Sequence, residues 1–155
     1  MMKNVRTYTV EQAKKLLENY CAYQERCHMN VEKKLNAMHI IPAAQEIIIL
    51  HLLKENYLNE ERFAKAFSRG KFLIKKYGKV RIANELKQRQ ISSYLIKKGL
   101  EEIEETPYIN TLKDLISKKL ETIKETNSFK KKKKVIDYLL RKGYEYELIK
   151  QYLPK

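Results

Sequence analysis

The chain is 155 residues long, with room for one domain or a few small modules. Four Gly and three Pro leave few sharp turns, and the abundance of Lys, Glu, Leu and Ile favours an all-α fold over β structure. The formal net charge is +14, from 33 Lys and Arg against 19 Asp and Glu, which favours a polyanionic partner such as nucleic acid or an acidic protein surface.

The sequence predicts a cytoplasmic protein that does not contact a membrane. No run of residues reaches the roughly 18 apolar positions of a membrane span, and the first six residues lack the apolar core of a signal peptide. Cys21 and Cys27 are expected on one helix, too far round and along it for an easy disulfide, and are interpreted as ordinary thiols. His28 lies nearby, but without a paired C-x-x-C spacing neither a metal nor a cofactor is predicted.

An apolar triplet recurs three times, with steps of four and then five residues. The four-residue step places two side chains on one helical face, and the third side chain falls where the helix has ended and the chain re-enters the core. Each triplet therefore predicts a short middle helix followed by an exit anchor, in a repeat of about fifty residues. The triplets are Val31, Leu35 and Ile40, then Ile82, Leu86 and Ile91, then Val135, Leu139 and Tyr144.

A longer helix before each triplet and another helix after it give three helices per module. The predicted modules are residues 1–57, 58–105 and 106–155. Because a unit of about fifty residues buries too little surface to be stable alone, neighbouring modules must pack together. We therefore predict an all-α fold of three tandem three-helix, helix-turn-helix-like modules in an elongated, curved array.

Capping residues predict where several helices begin and end. Thr9 with Gln12 resembles a capping box, and Pro42 suits the first position of the third helix. Gly99 and Gly143 are expected near helix ends, where glycine easily takes a left-handed backbone.

The first helices of the second and third modules also have predicted starts. Asn59 precedes two acidic residues that suit a first turn, and Thr106 precedes Pro107. In the second module, apolar residues with helical spacing predict an amphipathic core helix that continues until Gly78 stops it. These apolar residues are Phe63, Ala66, Phe67, Ile74 and Tyr77.

No catalytic motif is present, so the sequence does not predict an enzyme. It lacks a Gly-rich phosphate loop, an H-E-x-x-H pair and a G-x-S-x-G turn. Glutamates near the end of the second module are interpreted as a solvated face of one helix beside Lys97 and Lys98, not as a metal site. They are Glu101, Glu102, Glu104 and Glu105.

Two basic clusters are the strongest candidates for binding residues. Residues 59–100 contain 12 basic and 3 acidic side chains, a density beyond what solubility requires. The first cluster consists of Arg69, Lys71, Lys75, Lys76, Lys79 and Arg81. The second is a run that leads into apolar residues, which predicts that it begins an ordered helix or forms the loop before it. This run consists of Lys130, Lys131, Lys132, Lys133 and Lys134.

The second module contains a pattern that consists of Arg62, Phe63, Ala64, Gly78, Ile82, Glu85 and Leu86. This pattern resembles the signature of the RecX family, bacterial regulators of the RecA recombinase. The third module resembles that family through the segment 138–144, followed by Leu148 and Ile149, and the likeness extends over residues 30–155. The departures are an acidic Glu where the family often has Asp, and Gln90 where a Gly commonly precedes Ile91. The first module matches weakly.

This resemblance implies a regulatory function in homologous recombination, DNA repair and the SOS response. It implies binding within the groove of the RecA filament, to the recombinase and to the single-stranded DNA that it holds. The expected effect is modulation, most often inhibition, of ATP hydrolysis and strand exchange. We expect a monomer that binds DNA alone only weakly, and whose two basic clusters lie along one side of the array and engage the filament together.

A direct helix-turn-helix DNA-binding protein is the main alternative, and a nucleic-acid enzyme is a distant third. A sequence-specific reader offers Arg, Asn or Gln at the exposed start of its recognition helix. The third helices of the modules are expected to begin near residues that read bases poorly, and Glu145 and Glu147 would meet phosphate unfavourably. These starts are Pro42-Ala43-Ala44, Ser92-Ser93-Tyr94 and Glu145-Tyr146-Glu147.

Overall fold

The computed structural model describes residues 6–155, and within that range the protein forms nine α-helices and no strand. Residues 1–5, which begin the first predicted module and the segment without a signal-peptide pattern, lie outside the described residues. The prediction of an all-α fold built from three-helix units is confirmed. In the described part of the chain, no helix is both long enough and apolar enough to cross a bilayer.

The helices follow one another in three sets of three. The first set is α1 (Val10–Tyr23), α2 (His28–Ala37) and α3 (Pro42–Lys54). The second set is α4 (Glu60–Leu73), α5 (Lys79–Gln88) and α6 (Ser93–Leu100). The third set is α7 (Glu105–Thr122), α8 (Ser128–Lys142) and α9 (Tyr146–Tyr152). We refer to the three sets as the first, second and third modules.

The apolar triplets occupy the positions that their spacing predicts. On the middle helices α2, α5 and α8, the first two members of each triplet are fully buried. The exit anchors Ile91 and Tyr144 are buried as well, and Ile40 is half-buried. The repeat read from the sequence is therefore a repeat of core positions.

All three middle helices end in the same turn. The residue before each exit anchor has a left-handed backbone, with φ of 59° at His39, 61° at Gln90 and 103° at Gly143. In each copy the N–H of the anchor then donates to the carbonyl of the second triplet residue, at 3.1 to 3.2 Å. Gln90 thus adopts the conformation for which glycine is the usual residue, because a single left-handed residue costs a non-glycine side chain only about 1–2 kcal/mol.

Three of the four predicted helix starts agree with the structure. Thr9 and Gln12 form a complete capping box, Pro42 is the first residue of α3, and the Asn59 side chain accepts from the Arg62 N–H at 2.9 Å. The prediction for Thr106 is wrong, because α7 begins at Glu105, two residues before Pro107, and its N-cap is Glu104. Proline is tolerated within this first turn because its missing N–H would have no intrahelical partner there.

The prediction that helix α4 continues to Gly78 is also wrong. The helix ends at Leu73, and Lys76 then takes a left-handed backbone with φ of 58°, so the chain has already turned before the glycine. Ile74, predicted in the core, is 78% exposed. Gly78 is instead the N-cap of α5, with an ordinary negative φ of −77°.

Three smaller expectations need correction. Gly99 lies inside α6 with no positive φ, and a Cβ there would approach the Ala64 carbonyl oxygen to 2.7 Å, so this glycine permits close packing of α6 on α4. Cys21 belongs to α1 whereas Cys27 caps α2, so the two buried thiols are not on one helix. Glu101, Glu102 and Glu104 lie in the turn between α6 and α7 and Glu105 begins α7, so the four glutamates do not share a single helix.

Two apolar clusters form the core. One belongs to the first module and includes Leu17, Leu35 and Leu52. The other is continuous through the second and third modules, and Cys27 reaches it from the first. The second and third modules therefore share a core, as the small size of one repeat predicts.

Candidate functional site

The second and third modules meet where the turn between α4 and α5 lies against the end of α8. The Gly78 N–H donates to the Lys142 carbonyl at 2.9 Å, and the Val80 N–H donates to the Gly143 carbonyl at 3.0 Å. A Cβ on Gly78 would lie 2.3 Å from the carbonyl carbon of Gly143. A Cβ on Gly143 would lie 2.3 Å from the Cβ of Arg81 and 2.6 Å from its backbone nitrogen. Both glycines are therefore required by direct backbone contact between modules.

Two buried tyrosines fix the backbone of this turn. Tyr144 donates from its hydroxyl to the Lys76 carbonyl at 2.9 Å. The Tyr108 hydroxyl accepts from the Lys79 N–H at 2.9 Å and donates to Glu145 Oε1 at 2.6 Å, while the two rings stack 5.2 Å apart. Burial raises the pKa of both phenols, and the hydrogen bond to Glu145 raises that of Tyr108 further. Both phenols therefore stay neutral.

The contact between these modules assembles basic side chains around the ring of Tyr77. Arg81 lies over this ring with its guanidinium carbon 3.8 Å from the centroid, and the ammonium nitrogens of Lys142 and Lys71 lie 5.7 and 5.9 Å from it. Lys142 also donates to the Lys75 carbonyl at 2.9 Å. The ring holds cations from two modules in one place.

We call this group the junction cluster; it consists of Lys71, Lys75, Lys76, Arg81, Arg141 and Lys142. Arg141 contributes its carbonyl, which accepts from Arg81 Nη1 at 3.2 Å. Among the described residues, no carboxylate pairs with any member of the cluster. Burial lowers the pKa of Lys142, and the nearby charges of Arg81, Lys76 and Lys75 lower it further. The site therefore holds mutually repelling cations, which an anionic partner would neutralise.

Apolar side chains border the junction cluster. Ile74, the C-cap of α4, is mostly exposed. Leu73, the last residue of α4, is also mostly exposed, but it lines a different groove with Arg69 and Glu102. Ile74 and Phe67 line a shallow groove of about 340 Å³ together with Lys71 and Lys75. A surface that combines unpaired cations with exposed aliphatic side chains suits a protein partner better than nucleic acid alone.

Two of the predicted binding residues lie outside the junction cluster. Arg69 pairs with Glu102, with Nη1 and Oε1 2.5 Å apart. Lys79 extends its ammonium over the Tyr108 ring at 4.8 Å and lines a groove formed with Lys97 of α6. The structure thus brings together four of the six basic residues predicted in the second module, and it adds Arg141 and Lys142 from the third.

The lysine run occupies the first two turns of α8, which confirms that it lies at the start of an ordered helix. The Asn127 side chain caps this helix and accepts from the Lys130 N–H at 3.0 Å. Lys134 approaches Glu125 at 3.4 Å, and the Asn127 N–H, with Lys134, lowers the pKa of this carboxyl group. Lys130, Lys133 and Lys134 are exposed, whereas Lys131 and Lys132 are half-buried.

Helix α8 connects the two basic regions. The lysine run is at its start and Lys142 is its last residue, about 15 Å further along the axis from Lys132. Lys130, Lys134 and Arg141 are all exposed and recur at steps of four and seven residues, so they share one edge of the helix. One exposed face thus extends from the lysine run to the junction cluster.

Sequence reasoning did not assign Arg141 and Lys142 to the site. The two residues stand directly before Gly143, inside the segment that carried the family resemblance in the third module. The only sequence signal for these residues is a pair of basic side chains at a helix end. Their place in the site depends on the contact with residues 75–81, which the sequence does not reveal.

The signature residues of the second module serve the structure. Arg62 pairs with Glu25 of the first module, with Nε and Oε1 2.6 Å apart, and donates to the carbonyls of Asn56 and Tyr57. It therefore holds the first module against the second. Phe63, Ala64, Gly78, Ile82 and Leu86 are buried, and Glu85 is half-buried.

The composition of the site gives no support for a bound metal. Within residues 6–155, no three His, Cys, Asp or Glu side chains are grouped so that they could hold an ion. Both cysteines are buried free thiols, and burial raises the pKa of Cys21.

Comparison with known proteins identifies related chains. Residues 59–100 match the family description "RecX, second three-helix domain", and residues 107–153 match "RecX, third three-helix domain". The chain is 26% identical over 131 residues to "Regulatory protein RecX" of Bacillus cereus strain B4264 and to that of Bacillus cytotoxicus. These alignments cover 84% of this chain and 48% of each relative, so the chain spans about half the length of the curated relatives it matches.

Solved structures show the same fold. "Crystal structure of regulatory protein RecX" superposes with a TM-score of 0.84 at 20% identity and covers 92% of this chain and 72% of that one. "Crystal structure of RecX from Lactobacillus salivarius" gives 0.81 at 22% identity and covers 92% and 93%. The two family matches together span more than half of the sequence, and the fold agrees with them. The chain therefore belongs to the RecX family.

Proposed function

We propose that this protein binds the RecA recombinase filament and inhibits its ATP hydrolysis and strand exchange, as a non-enzymatic regulator of recombination and DNA repair. Family membership supports the class of regulatory protein, and the relatives carry that description. The filament combines a protein surface with the phosphates of a bound single strand, and both can meet a basic surface.

The junction cluster is the observation that carries this proposal. Cationic side chains from two modules are held together at one place, without a paired carboxylate among the described residues, beside exposed Ile74 and half-buried Phe67. Such an arrangement costs free energy in the isolated protein, because like charges repel. A partner with acidic and apolar groups would relieve this repulsion and cover the apolar pair.

The second basic region strengthens the interaction by adding a second contact. The lysine run lies on the same helix as Lys142, so one partner can engage both regions at once. When two contacts are joined on one chain, the second forms at a high effective concentration and the overall affinity exceeds that of either. A filament with repeating subunits suits such a surface.

The third helices do not favour the alternative, a sequence-specific helix-turn-helix protein. Helix α3 begins with Pro42, and the Ser92 hydroxyl caps α6 by accepting from the Leu95 N–H at 3.3 Å. Glu145, at the start of α9, already accepts from the Tyr108 hydroxyl. These starts offer neither Arg nor an amide side chain to a base edge.

A recombinase ATPase assay tests the proposal. The protein is titrated into a RecA-type recombinase on single-stranded DNA, once with preassembled filaments and once during assembly. We expect a lower rate in both, and a lower rate only during assembly would place the action at filament ends. A variant with Lys76→Glu and Arg81→Glu should be less potent by about tenfold or more. An unchanged ATPase rate at saturating wild-type protein would overturn the proposal.

A further inference from the structure

The exposed face of α8 includes an aromatic side chain, Phe129, that the proposed function does not use. Eight residues of this helix are exposed: the first residue, Ser128, and seven others that recur at steps of three and four along one side. These seven are Phe129, Lys130, Lys133, Lys134, Asp137, Leu140 and Arg141. Four are cations and only Asp137 is acidic, so this face complements a polyanion along more than three helical turns.

Phe129 is the unusual member of this face. Its side chain is 79% exposed on an ordered first turn that Asn127 caps, and among the described residues no aromatic ring stacks on it and no cation lies over it. Lys133 follows it by one helical turn, and Lys130 and Lys134 lie on the adjacent edge. A large exposed ring beside ammonium groups can stack on a planar group that belongs to an anionic chain.

The Phe129 ring and the neighbouring ammonium groups together suit single-stranded nucleic acid better than a duplex. In a duplex both faces of each internal base are already stacked on neighbours, so an aromatic side chain has no free base face to cover. In a single strand the faces of the bases are accessible. Proteins bind such strands with a basic surface that follows the phosphates and with aromatic side chains that stack on bases of any sequence. The ring of Phe129 and the edge formed by Lys130, Lys134 and Arg141 provide both elements.

We propose that Phe129 stacks on an unpaired base of a single strand whose phosphates follow Lys130, Lys134 and Arg141 along α8. This inference rests on the proposed function, because its ligand is the single strand that the filament holds. It goes further in naming the side chain that distinguishes single-stranded from duplex nucleic acid. It also requires contact with a free strand in the absence of recombinase.

A tryptophan reporter tests the stacking directly, because the chain contains no Trp. In Phe129→Trp, titration with an oligothymidylate at low salt should quench the indole fluorescence, because a stacked base quenches indole emission. The matched control is Tyr23→Trp, since Tyr23 is 84% exposed on α1 in the module with the least excess charge. Its fluorescence should not respond to the same titration.

Affinity for a fluorescein-labelled oligothymidylate supplies an independent readout. Phe129→Ala should weaken binding about 5- to 150-fold, the range expected for loss of one base–aromatic stack, whereas Phe129→Tyr should retain the affinity. Affinity for a duplex of equal length should change less than twofold, and circular dichroism should show unchanged helicity in each variant.

Three outcomes would overturn the inference. The first is an unquenched reporter at saturating strand, and the second is equal loss of single-strand and duplex affinity in Phe129→Ala. The third is a blue-shifted, brighter reporter with anionic phospholipid vesicles and no response to the oligonucleotide, which would assign the face to a lipid surface. None of these measurements contains recombinase, so they fail or succeed separately from the ATPase assay of the proposed function.

Discussion

Gly78 and Gly143 touch through their backbones, and neither position has space for a Cβ. Substitution Gly78→Ala would place a methyl group 2.3 Å from the Gly143 carbonyl carbon, so the turn between α4 and α5 must move away from α8. We expect a loss of about 2–3 kcal/mol in the free energy of unfolding, measured by urea denaturation. The control is Gly70→Ala on α4, where a Cβ meets nothing within 4 Å and alanine favours the helix. Equal stability of the two variants would contradict the importance of this contact.

Leu86, Leu35 and Leu139 are equivalent core residues in the three modules, and all are fully buried. Leu86→Ala should cost about 2–5 kcal/mol, because it leaves a cavity in the core shared by the second and third modules. Leu140→Ala provides the comparison, since Leu140 stands on the exposed side of α8, and it should change the unfolding midpoint little. If Leu86→Ala melted like the wild type, the register assigned to the repeat would be wrong.

Tyr108 joins three segments through one hydroxyl group, which accepts from the Lys79 N–H and donates to Glu145. Tyr108→Phe should lower the free energy of unfolding by about 1–3 kcal/mol, because the buried Lys79 N–H and the carboxylate lose their partner. Thermal unfolding measures this loss. Tyr23→Phe, which removes an exposed hydroxyl, should have no measurable effect.

The two buried phenols also predict the response of the fold to alkaline pH. Burial raises the pKa of Tyr108 and Tyr144 in the folded state, while tyrosines of the unfolded chain ionise near about pH 10. Their contribution to stability is therefore fully present below about pH 10 and declines as the pH rises above it, because only the unfolded state then releases these protons. Urea denaturation between pH 8 and 11 should show a smaller decline in Tyr108→Phe. If the free energy of unfolding fell equally steeply with pH in the wild type and in Tyr108→Phe, the buried Tyr108 phenol would not be a cause of the decline.

The two basic regions should act together on the filament. Charge reversal of Lys130 to Lys134, or of Lys76 and Arg81, should each raise the concentration needed for half-inhibition of filament ATPase by tenfold or more, on the order of 1.4 kcal/mol. The combined variant should be weaker than either, because each region raises the effective concentration of the other. Reversal of Lys14 and Lys15 in the nearly neutral first module should leave potency within about twofold.

Melting curves must first show that each of these variants is folded. Wild-type potency in the Lys130 to Lys134 variant would leave the junction cluster, with Ile74 and Phe67, as the sole anchor on the filament. Wild-type potency in the Lys14 and Lys15 variant is the expected control result.

DNA binding without recombinase should be weak and mostly electrostatic. The basic groups are present, but the starts of α3, α6 and α9 offer no base-reading side chains. The dissociation constant measured by anisotropy should rise steeply with salt and depend little on sequence. A salt-resistant preference for one duplex sequence would instead support the helix-turn-helix alternative.

The sequence was sufficient to predict the core of each module because that core is built from local periodicity. The steps between Ile82, Leu86 and Ile91 are properties of one helix and the turn after it, and they hold in all three copies. Capping at Thr9 and Asn59 is local as well, since a cap and its first turn are neighbours in sequence.

The start of α7 at Glu105 is a local error, but the errors that affect the candidate site concern contacts between distant segments. Gly78 was interpreted as a helix stop because its local sequence permits that, but its role is set by Gly143 of another module. Ile74 has the spacing of a core residue, yet the helix has already ended and the side chain faces solvent. Arg141 and Lys142 enter the candidate site only because residues 75–81 fold against them.

The shared turn after each middle helix carries a consequence for how such a protein can be rearranged. Gln90 and Gly143 occupy equivalent positions, but Gln90 points its side chain to solvent, whereas Gly143 lies against Arg81. If a second copy of the second module replaced the third, the glutamine at this position would carry a Cβ into its neighbour and prevent docking. The modules are therefore not interchangeable, because the middle-helix turn that packs against Arg81 requires a residue without a Cβ at this position.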